Sequence, residues 1–497
     1  MKKQLLVIPV LLLALSHINA KVKLPSILAS HMVLQQNSVV KLWGWSDKSG
    51  VVKIKTSWSA KLYVANISET GKWTVDISTS SAGGPYNIIF DDGDRLSIDD
   101  VYLGEVWFCS GQSNMEMPVK GFYGQPVINS VETIANADKN IPIRLFKVER
   151  CMSKMPQEDC NGTWNVNSPE YVADFSAVAY FFGKQLYNTL KVPIGLVNSS
   201  WGGTNITCWM SSDALKKFPD ISQGYLATDE ISQKPQPVTL FNGMVNPIKD
   251  FNFKGVIWYQ GEANRANPEE YKLLFQSFVK DWRRLFCNDT MPFYYVQIAP
   301  YMYFKNKSNI QAALLREVQM ECESIINNVG MAVLMDSGDS STIHPSKKDI
   351  VGKRLAYKAL SHTYGISSIL SDSPRYALKR REGNKLVLSF DRIPLGITSF
   401  GNVLRNFEVA GSDGVFLPAE AKIVDREKVV LWNDDVKEPV HARYAFRDFV
   451  IGDLFGGNGM PVSSFRTTLS RILCKWKQDS VVSSSYIWIL FSKISIN

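Results

Sequence analysis

The sequence predicts an α/β protein: a mostly parallel sheet, covered by helices on both faces, with β-rich units on either side of it. Three observations carry this reading. Past Val101, strand-like runs alternate with helical stretches five times, the signature of a parallel sheet buried on both faces. Before and after that region, short period-two runs broken by turns replace the alternation. The composition, 45% hydrophobic and 21% charged with 22 Pro and 32 Gly, is that of an ordinary globular chain and excludes collagen, coiled coil and wholesale disorder. At 497 residues the chain is expected to hold about two to four domains.

Residues 1–20 read as an address. Met1-Lys2-Lys3 is a charged start, Leu5 to Leu15 is an apolar run of signal-peptide length, and Asn19-Ala20 supplies a small residue at the expected cleavage point. The protein is therefore expected to be exported, to the periplasm or beyond. No later run approaches the ~20 apolar residues of a membrane span, and Tyr486 to Phe491 falls far short.

Residues 21–100 contain Val39 to Trp45, Val51 to Lys55, Trp73 to Ile77 and Tyr86 to Phe90, at a spacing that predicts a small β-sandwich. Residues 101–375 form the α/β region. Its predicted strands are Val106 to Cys109, Ile194 to Val197, Gly255 to Tyr259, Phe293 to Ile298 and Met331 to Met335. Its clearest helix is Pro268 to Phe286, with Tyr271, Leu274, Phe275, Phe278, Trp282 and Leu285 on one face. Residues 376–467 return to alternation and predict a second β-rich unit, packed on the α/β domain or inserted in it. Residues 468–497 show no period and stay unassigned. Basic residues exceed acidic ones by 55 to 47 without long runs, so no nucleic-acid partner is expected.

Seven cysteines leave at least one unpaired. Cys151 and Cys160 flank a short polar segment that a disulfide would close in an oxidising compartment. The others read as small buried hydrophobes. With no CxxC pair and no HExxH helix, neither a metal nor a cofactor is implied.

An open α/β sheet places its ligand beyond the carboxyl ends of its strands. Four such ends carry unusual sequence: Ser110-Gly111-Gln112-Ser113-Asn114, Ser200-Trp201-Gly202-Gly203-Thr204, Gln260-Gly261-Glu262-Ala263-Asn264, and Asp336-Ser337-Gly338-Asp339 leading to Ile343-His344-Pro345. Acyl transfer needs an exposed hydroxyl, a base and oxyanion donors. Ser113 follows a strand and a glycine, although Met115 breaks the Gly-x-Ser-x-Gly elbow. Taken alone, such a turn is more often a helix cap than a nucleophile. Of five histidines, only His344 directly follows a predicted sheet strand, which leaves it as the candidate base. Activity is then expected to fall as pH drops through the ordinary imidazole value near ~6.5.

Together these four segments resemble the sialate O-acetylesterase family of SGNH-type hydrolases, over about residues 24–467. The resemblance includes Met32-Val33-Leu34-Gln35 near the start and Asn458-Gly459-Met460-Pro461 near the end. It implies an SGNH-like three-layer α/β/α domain with accessory β-sandwich units. It also implies Ser113 as nucleophile, His344 as base, and an oxyanion hole from the N–H of Ser113, the N–H of Gly203 (or Gly202) and the side-chain amide of Asn264. Gln112, Gln260, Glu262 and Trp201 are the expected substrate contacts. The family's Asp three residues before the histidine is Ser341 here. Asp339 is taken as the third member, with Asp336 and a main-chain carbonyl open as alternatives.

The expected function is a carbohydrate O-acetylesterase acting without metal or cofactor. Its substrate is an O-acetylated sialic acid by resemblance, with acetylated xylan or another plant glycan as the alternative. Two readings compete. Glu262 beside Trp258 and Tyr259 suits a glycoside hydrolase, which needs a second carboxylate ~5–9 Å away and an eight-stranded barrel. A purely glycan-binding protein would leave the serine, asparagine and histidine loops without a role.

Overall fold

The structure, a computed structural model, describes residues 22–221, 233–303 and 309–467. The expected signal segment, the tail from Thr468 and Cys474 lie outside the described residues. Six strands form a parallel sheet in the order Val329–Ala332, Phe293–Val296, Gly255–Tyr259, Arg95–Gly111, Ile194–Ser200, Ile143–Lys147. Trp164–Val166 is added antiparallel at one edge.

Side chains alternate across a strand, so a doubly covered strand must be apolar at every position. In the two central strands Val106, Phe108, Val256 and Trp258 join one core, and Trp107, Cys109, Ile257 and Tyr259 join the other. Helix Pro268–Leu285 covers the first face. There Phe278 lies 4.5 Å, centroid to centroid, from both Trp258 and Trp282. Helices Ala177–Leu190 and Lys348–Lys358 cover the second. Each large side chain so buried contributes roughly 1.5–3 kcal/mol.

The expected boundary at residue 100 falls inside a strand. Arg95–Gly111 runs unbroken from the N-terminal β unit, where it pairs with Gly83–Asp91 and Val33–Gln35, into the centre of the parallel sheet. Its burial changes from alternating to continuous at Leu103 without any turn. The pattern shifts there because the strand passes from a half-covered to a fully covered sheet.

Residues 375–466 follow the α/β region and pack on it, with two four-stranded antiparallel sheets. The seam is polar and buried. Arg316 donates to Ser464 Oγ at 3.1 Å, Gln297 to Ser463 Oγ at 2.7 Å, and Arg466 pairs with Glu317 at 2.8 Å. Cys151 and Cys160 are free thiols, and burial pushes the Cys160 thiol up to about 12. Among the described residues no helix is long and apolar enough to cross a membrane.

Candidate active site

The strand Arg95–Gly111 ends in a close backbone approach. A Cβ on Gly111, whose φ is +148°, would stand 2.1 Å from the Tyr259 carbonyl oxygen, so only glycine fits. Gln112 then opens the short helix Ser113–Glu116, which sets the Ser113 hydroxyl at the carboxyl end of the sheet. Ser113 and His344, 231 residues apart in the chain, meet there with Oγ 2.8 Å from Nε2.

The other imidazole nitrogen meets no carboxylate. His344 Nδ1 lies 2.5 Å from Oε1 of Gln125. An amide oxygen only accepts, so Nδ1 carries the proton and Nε2 is left with its lone pair toward the serine hydroxyl. Gln125 closes a turn with reciprocal backbone bonds to Phe122, and the Phe122 ring stands edge-on to His344 at 5.4 Å. One turn therefore both orients and packs the base.

Asp339, expected as the third member, does not reach the ring. Its Oδ1 accepts from Ser341 N and Oγ at 2.7 Å and from Thr342 N at 3.3 Å, capping its own loop. Those bonds hold its carboxyl below the usual range. Asp336 is taken by Arg354, at 2.6 and 2.7 Å. The place of the acid is filled by a neutral amide from another loop.

His344 is half-buried, and burial first, then the positive charge of Lys348, lowers its pKa to about 4. This lies well below the ordinary imidazole value near ~6.5, which holds only for an unperturbed ring. A neutral Gln125 supplies no charge to raise it again.

The main-chain N–H of Ser113 and of Gly203 and the side-chain Nδ2 of Asn264 have no hydrogen-bond partner among the described residues, which leaves them free as donors. Asn264 Oδ1 accepts from Ile206 N at 3.1 Å and Gln260 Nε2 at 2.7 Å, which turns its Nδ2 away from both. Gly202, the expected alternative to Gly203, donates to Glu116 Oε2 at 2.8 Å and is spent.

The expected substrate contacts divide. Trp201 is half-buried at the surface, with the Arg150 guanidinium 5.0 Å over its ring and Arg150 bound in turn to Glu116. Gln112, Gln260 and Glu262 are buried behind the site. Gln112 Oε1 accepts from Ala263 N at 3.4 Å, and Gln260 braces Thr204 and Asn264. Glu262 Oε1 accepts from Asn114 Nδ2 at 2.6 Å. These side chains turn into the core because the strand end they leave is covered on both faces.

The same Asn114 amide donates to the Ile343 carbonyl at 3.1 Å, and its oxygen accepts from Lys348 Nζ. Glu262, Asn114 and Lys348 thus form a buried chain directly beneath the Ser113–His344 pair. Burial raises the Glu262 carboxyl and lowers Lys348 to about 7. Sequence reasoning missed Gln125, Lys348, Arg150 and Glu116. Only Lys348, four residues past His344 at the start of helix Lys348–Lys358, left a positional signal.

The chain is similar to known carbohydrate esterases. Residues 103–361, just over half of the chain, match the family model described as carbohydrate esterase, sialic acid-specific acetylesterase. The human sialate O-acetylesterase is 28% identical over 403 residues, covering 74% of this chain and 76% of its own. The mouse enzyme is 28% identical over 410 residues, covering 70% and 75%. A carbohydrate acetylesterase from Xanthomonas citri superposes with a TM-score of 0.82 at 33% identity, covering 90% of this chain and all of that one. The chain is a hydrolase of the esterase class. It belongs to the carbohydrate esterase, sialic acid-specific acetylesterase family.

Proposed function

We propose that this protein removes O-acetyl groups from sugars through an acetyl-serine intermediate, on an SGNH-type site. The observation that carries the proposal is the 2.8 Å contact between Ser113 Oγ and a His344 nitrogen left unprotonated by its bond to Gln125. His344 takes the serine proton as Oγ attacks the acetyl carbonyl. The oxygen that gains charge is received by the N–H groups of Ser113 and Gly203 and by Asn264 Nδ2. The intermediate collapses, the sugar oxygen leaves with the proton from His344, and water repeats the sequence to release acetate and free Ser113.

The favoured substrate is an O-acetylated sialic acid, as the family membership suggests, and its carboxylate would be received only by the Arg150 donors that Glu116 leaves unused beside Trp201. Acetylated xylan-type glycans are the second reading. The glycosidase reading is disfavoured because Glu262 is buried and bonded to Asn114 instead of facing the crevice. Residues 1–20 are read as directing export, which N-terminal sequencing of the secreted form tests.

The deciding experiment measures acetate release from a panel of O-acetylated sialosides and acetylated xylo-oligosaccharides. Ser113→Ala is expected to abolish release while Glu262→Gln retains it per folded molecule; release of free sugar from these glycosides, lost in Glu262→Gln and kept in Ser113→Ala, would restore the glycosidase reading. Arg150→Gln is expected to raise KM for sialosides and leave it unchanged for neutral substrates. An equal effect on both would remove Arg150 from substrate recognition.

A further inference from the structure

We propose that the cleft between the N-terminal β unit and the α/β body is a second glycan-binding site, for a short run of neutral pyranosides. The strand Val39–Trp45 buries Val40 and Leu42 in the core, so Lys41, Trp43 and Trp45 share its other face, each only half-buried. Its antiparallel partner sets Asp76, Thr74 and Lys72 opposite those three residues. A cavity of about 670 Å³ opens over this face and is closed on the far side by Gln157, Glu158 and residues 246–250. That size suits a small ligand.

The chemistry of the walls narrows the ligand. Two indoles on one strand face stand two residues apart, roughly 7 Å along the strand, a spacing that suits adjacent sugar rings; the Lys23 ammonium lies 5.6 Å over the Trp45 ring, so Trp43 offers the freer apolar surface. The charges that bound the cleft are largely paired across it. Lys41 Nζ meets Asp250 at 3.0 Å, and Lys72 meets Glu158. Paired in this way they offer donors and acceptors to sugar hydroxyls without a strong field of one sign, which favours a neutral ligand over an acidic one. A second depression of about 290 Å³ shares Lys41, Lys249 and Asp250 and continues the groove.

This cleft is not the catalytic crevice. Residues 246–250 lead into the amino end of strand Gly255–Tyr259, whereas Gln260 to Asn264 leave its carboxyl end. None of its lining residues contacts Ser113, His344 or Gln125. A site there would hold a polymer while the crevice works on a branch of it, raising the local concentration of esters.

The test is calorimetric titration of the full chain carrying Ser113→Ala with xylohexaose, which has no acetyl group. Its outcome is therefore independent of whether the esterase reading holds. Binding is expected, and Trp43→Ala with Trp45→Ala should weaken it at least about tenfold, while Trp43→Phe with Trp45→Tyr should keep most of it. Thr74→Arg, a change at an exposed position opposite Trp43, should block the cleft without touching the core. In the Ser113 background the same variants should hydrolyse p-nitrophenyl acetate at the unaltered rate. The proposal is overturned by absence of binding to xylohexaose, by binding that survives both the double alanine variant and Thr74→Arg, or by sialyllactose binding as tightly through the same tryptophans.

Discussion

Two hydrogen-bond chains start from neighbouring residues and are built from opposite materials. From Ser113 the chain runs through His344 to Gln125 and is neutral throughout. From Asn114 it runs to Glu262 on one side and Lys348 on the other, and ends in two buried ionisable groups. The working chain borders the crevice and needs a base free of a proton. The supporting chain is buried, and the Asn114 amide, bonded to Glu262, to Lys348 and to the Ile343 carbonyl, ties the Ser113 turn to the strand end Gln260–Asn264 and to the His344 loop. Buried polar groups joined in this way are costly to separate, because each would lose its hydrogen-bond partner away from water.

This contrast yields tests of decreasing size. His344→Ala should cut kcat by about 10⁴-fold or more, because the hydroxyl loses its base. Asn264→Ala should cost about 10²–10³ in kcat with little change in KM, the mark of a donor used in the transition state. A change confined to KM would reassign it to ground-state binding.

Gln125→Ala should lower kcat by about 10–100-fold through loss of ring orientation. Gln125→Glu is the sharper probe. A carboxylate at Nδ1 favours the imidazolium and raises the His344 pKa, so the acid limb of kcat/KM should move from about 4 to higher pH. In the unaltered protein kcat/KM should stay level from pH 7 to 5 and fall through about 4, since protonated His344 cannot act as base. An acid limb near ~6.5 would show that the imidazole is solvated as in a peptide.

On the supporting chain the loss should appear in stability. Glu262→Gln removes the nearby negative charge that favours the Lys348 ammonium and should lower stability in chemical denaturation, by about 1–3 kcal/mol. The deficit should shrink above pH 7, where Lys348 can shed its proton. Adding Lys348→Met should recover part of it. The smallest effect belongs to Asp339→Asn, within about 0.5 kcal/mol and with activity nearly unchanged, because asparagine can still cap Ser341 and Thr342.

The sheet was legible in sequence because its strands bury both faces. Runs such as Val106-Trp107-Phe108-Cys109 and Val256-Ile257-Trp258-Tyr259 have no polar position to blur them. The unbroken passage of Arg95–Gly111 between two sheets was not legible, since no turn marks it. The meeting of Ser113 and His344 could be read from their places after strands. Gln125 could not, because it lies 219 residues from the imidazole in a turn of no strand, and a neutral amide carries none of the expectation attached to an acid. Glu262 and Gln260 were misassigned to the crevice for a related reason. Sequence shows which residues follow a strand but not which way their side chains turn once both faces are covered.

Catalysis here turns on transfer of the acyl group onto Ser113. The most direct measurement is mass spectrometry of the protein acid-quenched during turnover of p-nitrophenyl acetate near pH 4, where protonation of His344 slows release of the acyl group. One acetyl mass is expected on the peptide that holds Ser113, absent in Ser113→Ala. Acetate release with that peptide unmodified, or an acetyl group trapped on another side chain, would contradict it.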